Sequence, residues 1–201
     1  MSNKILQKSS LSVRLLTPEE QIIIAGVHEA TTKEGNRPHA FLVINISSLS
    51  STHKYAAVPL RSSIPVKNSK RFGLFVYPDG NHEVTKKDTQ GVMSTIECVK
   101  CMDYTKLFFT NSNTSGLSTL VTESDEISYY KENSNKIRAD ITAYVKKYIE
   151  LVSNLDSLTK GQKTTLYKRY RFSTLPDFHS VLGINNTTKN EVISLFNRIN
   201  D

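Results

Sequence analysis

Arg37 and Arg61 are the residues best suited to chemistry. Arg37 opens the apolar run Pro38-His39-Ala40-Phe41-Leu42-Val43-Ile44-Asn45-Ile46, and Arg61 follows the run Tyr55-Ala56-Ala57-Val58-Pro59-Leu60. Ser62 and Ser63 come directly after Arg61. A guanidinium presents a rigid fork of donors that stays charged at any relevant pH, so two of them beside hydroxyls suit a phosphodiester. If the two runs are neighbouring strands, Arg37 and Arg61 can face one phosphate. His39 lies two residues beyond Arg37 and shares its face in a strand, which makes it either an acid-base group or an ordinary half-buried strand residue. Lys67 is the next cation after the serines.

The charge pattern points the same way. The 201 residues hold 26 Lys and Arg against 19 Asp and Glu, a formal charge of +7, and neutralising phosphates releases counterions. Between Asp156 and Asp177 stand Lys160, Lys163, Lys168, Arg169 and Arg171 without an acid, interleaved with Tyr167, Tyr170 and Phe172. Cations hold a nucleic-acid backbone while aromatic faces stack its bases. The same pattern fits a helix whose rings pack inward and whose lysines are solvated. Lys70 adds to the basic stretch that begins at Lys67.

These groups need elements to position them. Thr17-Pro18-Glu19-Glu20 reads as a helix start, and Ile22-Ile23-Ile24 as a short element of either type. The two arginine-bearing runs read as strands joined by the serine-rich stretch 47–54, suited to a hairpin. Phe72–Tyr77, ended by the turn Pro78-Asp79-Gly80-Asn81, gives a third strand. Val92–Val99 gives a fourth and Leu107–Phe109 a fifth. From 125 to 153 the apolar residues recur at steps of three and four, which predicts one long amphipathic helix. Its polar face carries Lys136, Arg138, Lys146 and Lys147, open to solvent or to nucleic acid. Thr188-Lys189-Asn190-Glu191 has capping-box spacing before a last helix through Val192, Leu195, Phe196 and Ile199. Strands first and helices later make the fold class α+β, with an antiparallel sheet over about 36–110.

Other readings fall away. No apolar run approaches the roughly 20 residues a bilayer needs, so no membrane contact is expected. Met1–Ile5 is followed by no apolar h-region, so the expected location is cytoplasmic. Cys98-Val99-Lys100-Cys101 matches C-x-x-C, but a structural zinc needs a second ligand pair and the chain has two cysteines in all. They read as ordinary thiols, without metal or disulfide. No phosphate-cradling glycine loop is present, which argues against nucleotide hydrolases. In Asp103-Tyr104-Thr105-Lys106, Asp103 can pair with a site arginine and Tyr104 can stack a base; a strand-turn acid and a core tyrosine are the alternatives. His28, His53, His82 and His179 receive no role.

The order Asn36-Arg37-Pro38, apolar strand, Val58-Pro59-Leu60-Arg61-Ser62-Ser63, then Met102-Asp103-Tyr104-Thr105-Lys106 before an apolar strand resembles the ToxN and TenpN group of type III toxin-antitoxin endoribonucleases. These are relatives of the MazF and Kid toxins, and the resemblance covers about residues 30–150. It implies a small SH3-like antiparallel barrel with a long helix over 1–153, and a basic, aromatic helical extension over 154–201. It implies a phage-defence toxin that cuts single-stranded RNA without metal or cofactor and is silenced by a structured antitoxin RNA, with which it can assemble into a larger complex. A protein antitoxin is the other arrangement found among MazF relatives. Chains of the group usually bring a lysine or arginine soon after the hydroxyl position, whereas Ile64-Pro65-Val66 here precede Lys67.

The chemistry needs no metal in principle, because RNA carries its own nucleophile, the 2′-hydroxyl. Arg37 and Arg61 would stabilise charge on the phosphoryl oxygens, and Ser62 or Ser63 would donate to one of them. Lys67 would steady that charge or act as the acid, with His39 as the other acid or base. Lys70, Tyr104, Lys106, Lys163, Tyr167, Lys168, Arg169, Tyr170 and Arg171 would bind the rest of the RNA. Two other classes fit the same composition: a basic module that holds nucleic acid without cutting it, and a structural protein whose basic patches meet an acidic partner.

Overall fold

In a computed structural model, residues 12–14, 41–87, 90–111, 125–185 and 187–200 are described, and they form a mixed α+β fold. Seven strands build one antiparallel sheet: β1 (Ser12–Arg14), β2 (Phe41–Asn45), β3 (Tyr55–Pro65), β4 (Leu74–Val76), β5 (His82–Lys87), β6 (Met93–Asp103) and β7 (Phe108–Thr110). Among the described residues four α-helices follow: α1 (Asp125–Glu132), α2 (Ser134–Val152), α3 (Lys160–Tyr170) and α4 (Lys189–Asn200). No helix among the described residues is long and apolar enough to cross a membrane.

The sheet is organised by two long strands. The first half of β3 pairs with β2 from Phe41↔Pro59 to Asn45↔Tyr55. The same half pairs on its other edge with β7. Beyond Pro59 it turns to β6, pairing Leu60 with Met102 and Arg61 with Cys101. β6 in turn holds β4 beside its last residues and β5 beside its first. The ladders branch at these strands without closing a ring, so the sheet among the described residues is open. The continuous apolar run of β2 is buried along Phe41–Ile44, as a strand covered on both faces requires.

The 47–54 connection is the expected hairpin loop. Ile46 N–H donates to the Lys54 carbonyl at 2.8 Å. Ser50 Oγ accepts from the Thr52 and His53 amides and donates to the Val181 carbonyl, tying the loop to the C-terminal segment.

The main core fills the space between the sheet and the helices. From α2 come Ile137, Ile141, Tyr144, Val145, Tyr148, Leu151 and Val152, one stripe at helical spacing. Leu166 and Tyr170 of α3, Leu175 and Phe178 of the turn after it, and Val192 and Phe196 of α4 join the same cluster. Each fully buried aliphatic side chain stabilises the fold by roughly 1.5–3 kcal/mol. The buried tyrosines need partners for their hydroxyls. Tyr144 donates to Ser173 Oγ at 2.8 Å, Tyr170 to the Tyr144 carbonyl at 2.9 Å and Tyr130 to Glu126 at 3.3 Å. Tyr148 and His179 Nε2 lie 2.7 Å apart. A second, smaller cluster of Ile64, Val99 and Cys101 also forms on β3 and β6.

Two expectations are corrected. The single helix over 125–153 is two, meeting at Asn133, whose φ of -90° and ψ of 12° leave the helical range and whose side-chain amide joins its backbone amide on the Tyr129 carbonyl. The stretch 82–87 is a strand, absent from the sequence reading. Apart from Val84 its residues are polar, and all are half-buried to exposed, so no apolar alternation marks it. The helix start at Thr17 and the element at Ile22–Ile24 lie outside the described residues. The expected last helix is α4, with the Thr188–Glu191 box formed in both directions.

Candidate nucleic-acid interface

Arg61 and Arg71 converge on one buried carboxylate. Asp103 ends β6 with no exposed surface and caps the 3-10 turn Tyr104–Lys106. Its Oδ1 accepts from the Thr105 amide at 3.1 Å and the Thr105 hydroxyl at 2.5 Å. Its Oδ2 accepts from Arg61 Nη1 at 2.8 Å and Arg71 Nη2 at 3.3 Å. Register explains the first pair: Arg61 stands opposite Cys101, and Asp103 is two residues along the same face. Arg71 arrives by a different route, on the loop after the 3-10 turn Val66–Asn68, where its amide bonds the Asn68 carbonyl.

The node keeps an excess of positive charge. Two guanidiniums share one carboxylate, and their side chains remain 30% and 35% exposed. Arg71 Nε is buried without a hydrogen-bond partner. An unpaired buried donor is costly, and the partly exposed guanidiniums beside it present the donors that a phosphate oxygen can reach.

Ser62 and Ser63 lie next to the node in a β-bulge. Between Arg61↔Cys101 and Ile64↔Val99, β3 uses one residue more than β6. A bulge re-aims side chains, and here Ser62 is exposed and Ser63 half-buried. Lys67 and Lys70 are exposed on the following turn. Arg37 and His39 lie outside the described residues, so the pairing of Arg37 with Arg61 does too.

A band of alternating arginines and rings extends from the node. Phe172 is 42% exposed, with Arg171 at 4.6 Å and Arg71 at 5.9 Å from its ring centre. Arg171 also lies over Tyr167 at 4.8 Å and donates to its hydroxyl at 2.6 Å. Lys106 Nζ donates to the Phe172 carbonyl at 2.7 Å, joining the turn after Asp103 to this band. Phe72, 41% exposed, carries Arg169 at 4.6 Å. Lys163 is half-buried and Lys168 exposed on α3.

Two residues expected on this surface belong to the core instead. Tyr170 is fully buried between Tyr144 and Tyr148, so its ring cannot stack a base. Tyr104 is buried edge-on against Tyr144, leaving only its rim at a neighbouring cleft. Burial, with the charges of Asp140 and Asp103, pushes its hydroxyl up to about 12. Arg71 and Phe72 were missing from the sequence-derived site, whereas Phe172, expected there as a stacking ring, is exposed on the band. The signal for Arg71 and Phe72 was the run Lys70-Arg71-Phe72, cations set against a ring.

Cys98 and Cys101 are buried free thiols. Burial and Asp103 push the Cys101 thiol up to about 12 against the lowering effect of Arg61 and Arg71, so it is not a nucleophile at neutral pH. The described histidines are engaged away from the node. His53 contacts Thr52, His82 the Gly80 carbonyl, and His179 the Tyr148 hydroxyl.

No family model, no curated protein and no solved structure matches this chain.

Proposed function

We propose that this protein binds single-stranded RNA along the arginine-aromatic band and cuts it at a phosphate held by Arg61 and Arg71, as a toxin of the ToxN and TenpN type would. The observation that carries the reading is the convergence of both arginines on Asp103 Oδ2, beside the serine bulge. A buried carboxylate fixed by Thr105 orients the two forks, while the remaining donors are left for an anion.

In the reaction, the 2′-oxygen attacks phosphorus, the bond from phosphorus to the 5′-oxygen breaks, and a 2′,3′-cyclic phosphate remains. Negative charge grows on the non-bridging oxygens as the five-coordinate phosphorus forms. Arg61 and Arg71 stabilise that charge, each well-placed donor contributing about 2.7–4 kcal/mol. Ser62 or Ser63 adds a hydrogen bond. Lys67 supplies the leaving 5′-oxygen's proton, and His39 takes the one from the 2′-hydroxyl. A small SH3-like barrel is the fold this reading implies, the cytoplasm its location, and a structured antitoxin RNA covering the same arginines its silencing partner.

A second reading, RNA binding without cleavage, is favoured by one observation: no described histidine touches the node. Incubation of the purified protein with end-labelled single-stranded RNA in EDTA separates the two. Fragments ending in a cyclic phosphate support the nuclease. Retention of intact RNA supports the binding module, and the absence of both cleavage and retention leaves no room for an RNA function.

A further inference from the structure

A cleft of about 560 Å³ adjoins the arginine node, bordered by Phe72, Tyr104, Asp140, Tyr144, Lys146 and Arg169. Its size is within the range of small-ligand sites. The two sites are contiguous because Arg71 and Phe72 are consecutive, as are Asp103 and Tyr104. A nucleotide whose phosphate meets Arg61 and Arg71 has two ring surfaces within reach, Phe172 at 5.9 Å from Arg71 and the cleft that begins at Phe72.

The cleft combines a stacking wall with a carboxylate, Asp140, whose charge acts on the Tyr104 hydroxyl at the same cleft. Phe72 packs on Tyr144 with ring centres 5.5 Å apart and is covered on its surface by Arg169. A guanidinium over a ring takes the position a base plane would take, and Arg169, exposed on a flexible stem, can lift to cover the base from outside. The other acid at the cleft, Glu150, is bound to Lys147 at 2.7 Å. Asp140 on α2 is half-buried and has no hydrogen-bond or ion-pair partner among the described residues. Lys146, exposed on the same helix, adds positive charge for a flanking phosphate.

We propose that this cleft is a guanine subsite, in which Asp140 accepts the N1–H and N2–H of a base stacked on Phe72. A carboxylate is acceptor-only, with two oxygens side by side. Guanine is the base whose pairing edge offers two parallel donors to match it. Adenine sets an acceptor, N1, against the carboxylate, uracil sets two carbonyls, and cytosine has one amino group. The inference rests on the RNA-binding reading and adds to it a base preference at the nucleotide next to the bound phosphate.

The test uses short oligouridylates with 2′-O-methyl sugars, which cannot be cut, carrying one central guanine, inosine or adenine. Fluorescence anisotropy is measured for the full chain and for Asp140→Asn and Phe72→Ala. Guanine is expected to bind roughly tenfold tighter than adenine, with inosine between them because it lacks the 2-amino group. Asp140→Asn should bring all three within about twofold of one another, and Phe72→Ala should weaken all three. Oligonucleotide binding without guanine preference, or a preference that survives Asp140→Asn, overturns the subsite and leaves RNA binding standing. If no oligonucleotide binds, the RNA reading falls, and titration with guanosine monophosphate decides the cleft alone. Binding lost in Asp140→Asn upholds it, and no binding overturns it.

Discussion

Arg61 and Arg71 donate to the same oxygen of Asp103, at 2.8 and 3.3 Å, from opposite sides of the bulge and turn that carry Ser62, Ser63 and Lys67. The carboxylate organises this end of the sheet. Replacing it by Asn keeps the shape and removes the charge, leaving two guanidiniums crowded without a counter-ion. Because both arginines are partly exposed, the loss is less than for a sealed ion pair, about 2 kcal/mol for Asp103→Asn. Urea denaturation should show it, with RNA affinity falling as well. Unchanged stability would mean that solvent already balances these charges.

Gly73 supports the node from behind. Its φ is +94°, and a Cβ there would overlap Thr105 Cγ2, on the side chain that holds Asp103 Oδ1. Gly73→Ala should cost about 1–3 kcal/mol from strain and overlap together. Thr105→Ser in the same chain removes the obstructing methyl, keeps the hydroxyl, and should recover part of the loss. Thermal unfolding of the two variants measures this, and no recovery would place the whole cost in the backbone.

His179 makes stability depend on pH. Its Nδ1 lies 2.7 Å from the Thr187 carbonyl, which can only accept, so Nδ1 carries the proton and Nε2 accepts from Tyr148. Burial holds its pKa below the ordinary 6.5, outweighing the Thr187 hydrogen bond and the charges of Asp177 and Glu191. The unfolded chain then binds the proton more readily than the folded one. Stability from this residue is fully present above about pH 6.5 and declines as pH falls below it. Denaturation midpoints over pH 5–8 should show that decline, and His179→Gln should flatten it. An unchanged slope in the variant would assign the acid sensitivity to other groups.

Phe172 and Tyr170 separate surface from core within one aromatic stretch. Phe172→Ala should weaken single-stranded RNA binding by about 1–3 kcal/mol at little cost in stability, because its ring is exposed between Arg71 and Arg171. Tyr170→Phe should leave RNA affinity intact and cost about 1 kcal/mol of stability, through the lost bond to the Tyr144 carbonyl. Anisotropy and thermal unfolding on both variants check the pair. The reverse pattern would move the interface off this band.

The strands that were legible in the sequence are those with apolar runs. Phe41–Ile44 and Ala56–Val58 are buried, and continuous hydrophobicity marks such strands. β5 was invisible because His82–Lys87 holds one apolar residue, Val84, among polar ones, and its ladder to β6 defines it. The α2 stripe was readable as helix period, whereas the break at Asn133 lies in the backbone angles of one residue. At the site, the pairing of Asp103 with a site arginine was one of two expectations, and the β3–β6 register makes that arginine Arg61. Arg71 could not be expected there, since its approach depends on how the loop after Asn68 turns back. Tyr167, Tyr170 and Phe172 look alike in sequence, and only the position of α3 against α2 buries the middle one.

The central claim is that Arg61 and Arg71 hold one phosphate of a single strand. It is tested most directly by the salt dependence of binding to a 2′-O-methyl oligoribonucleotide, for the full chain, Arg61→Ala, Arg71→Ala and the double variant. One shared phosphate predicts weaker binding in each single variant. In the double variant, the slope of log K against log salt should be shallower by about 0.7, the value for one contact on a single strand rather than two. Affinity and slope unchanged in the double variant would contradict it.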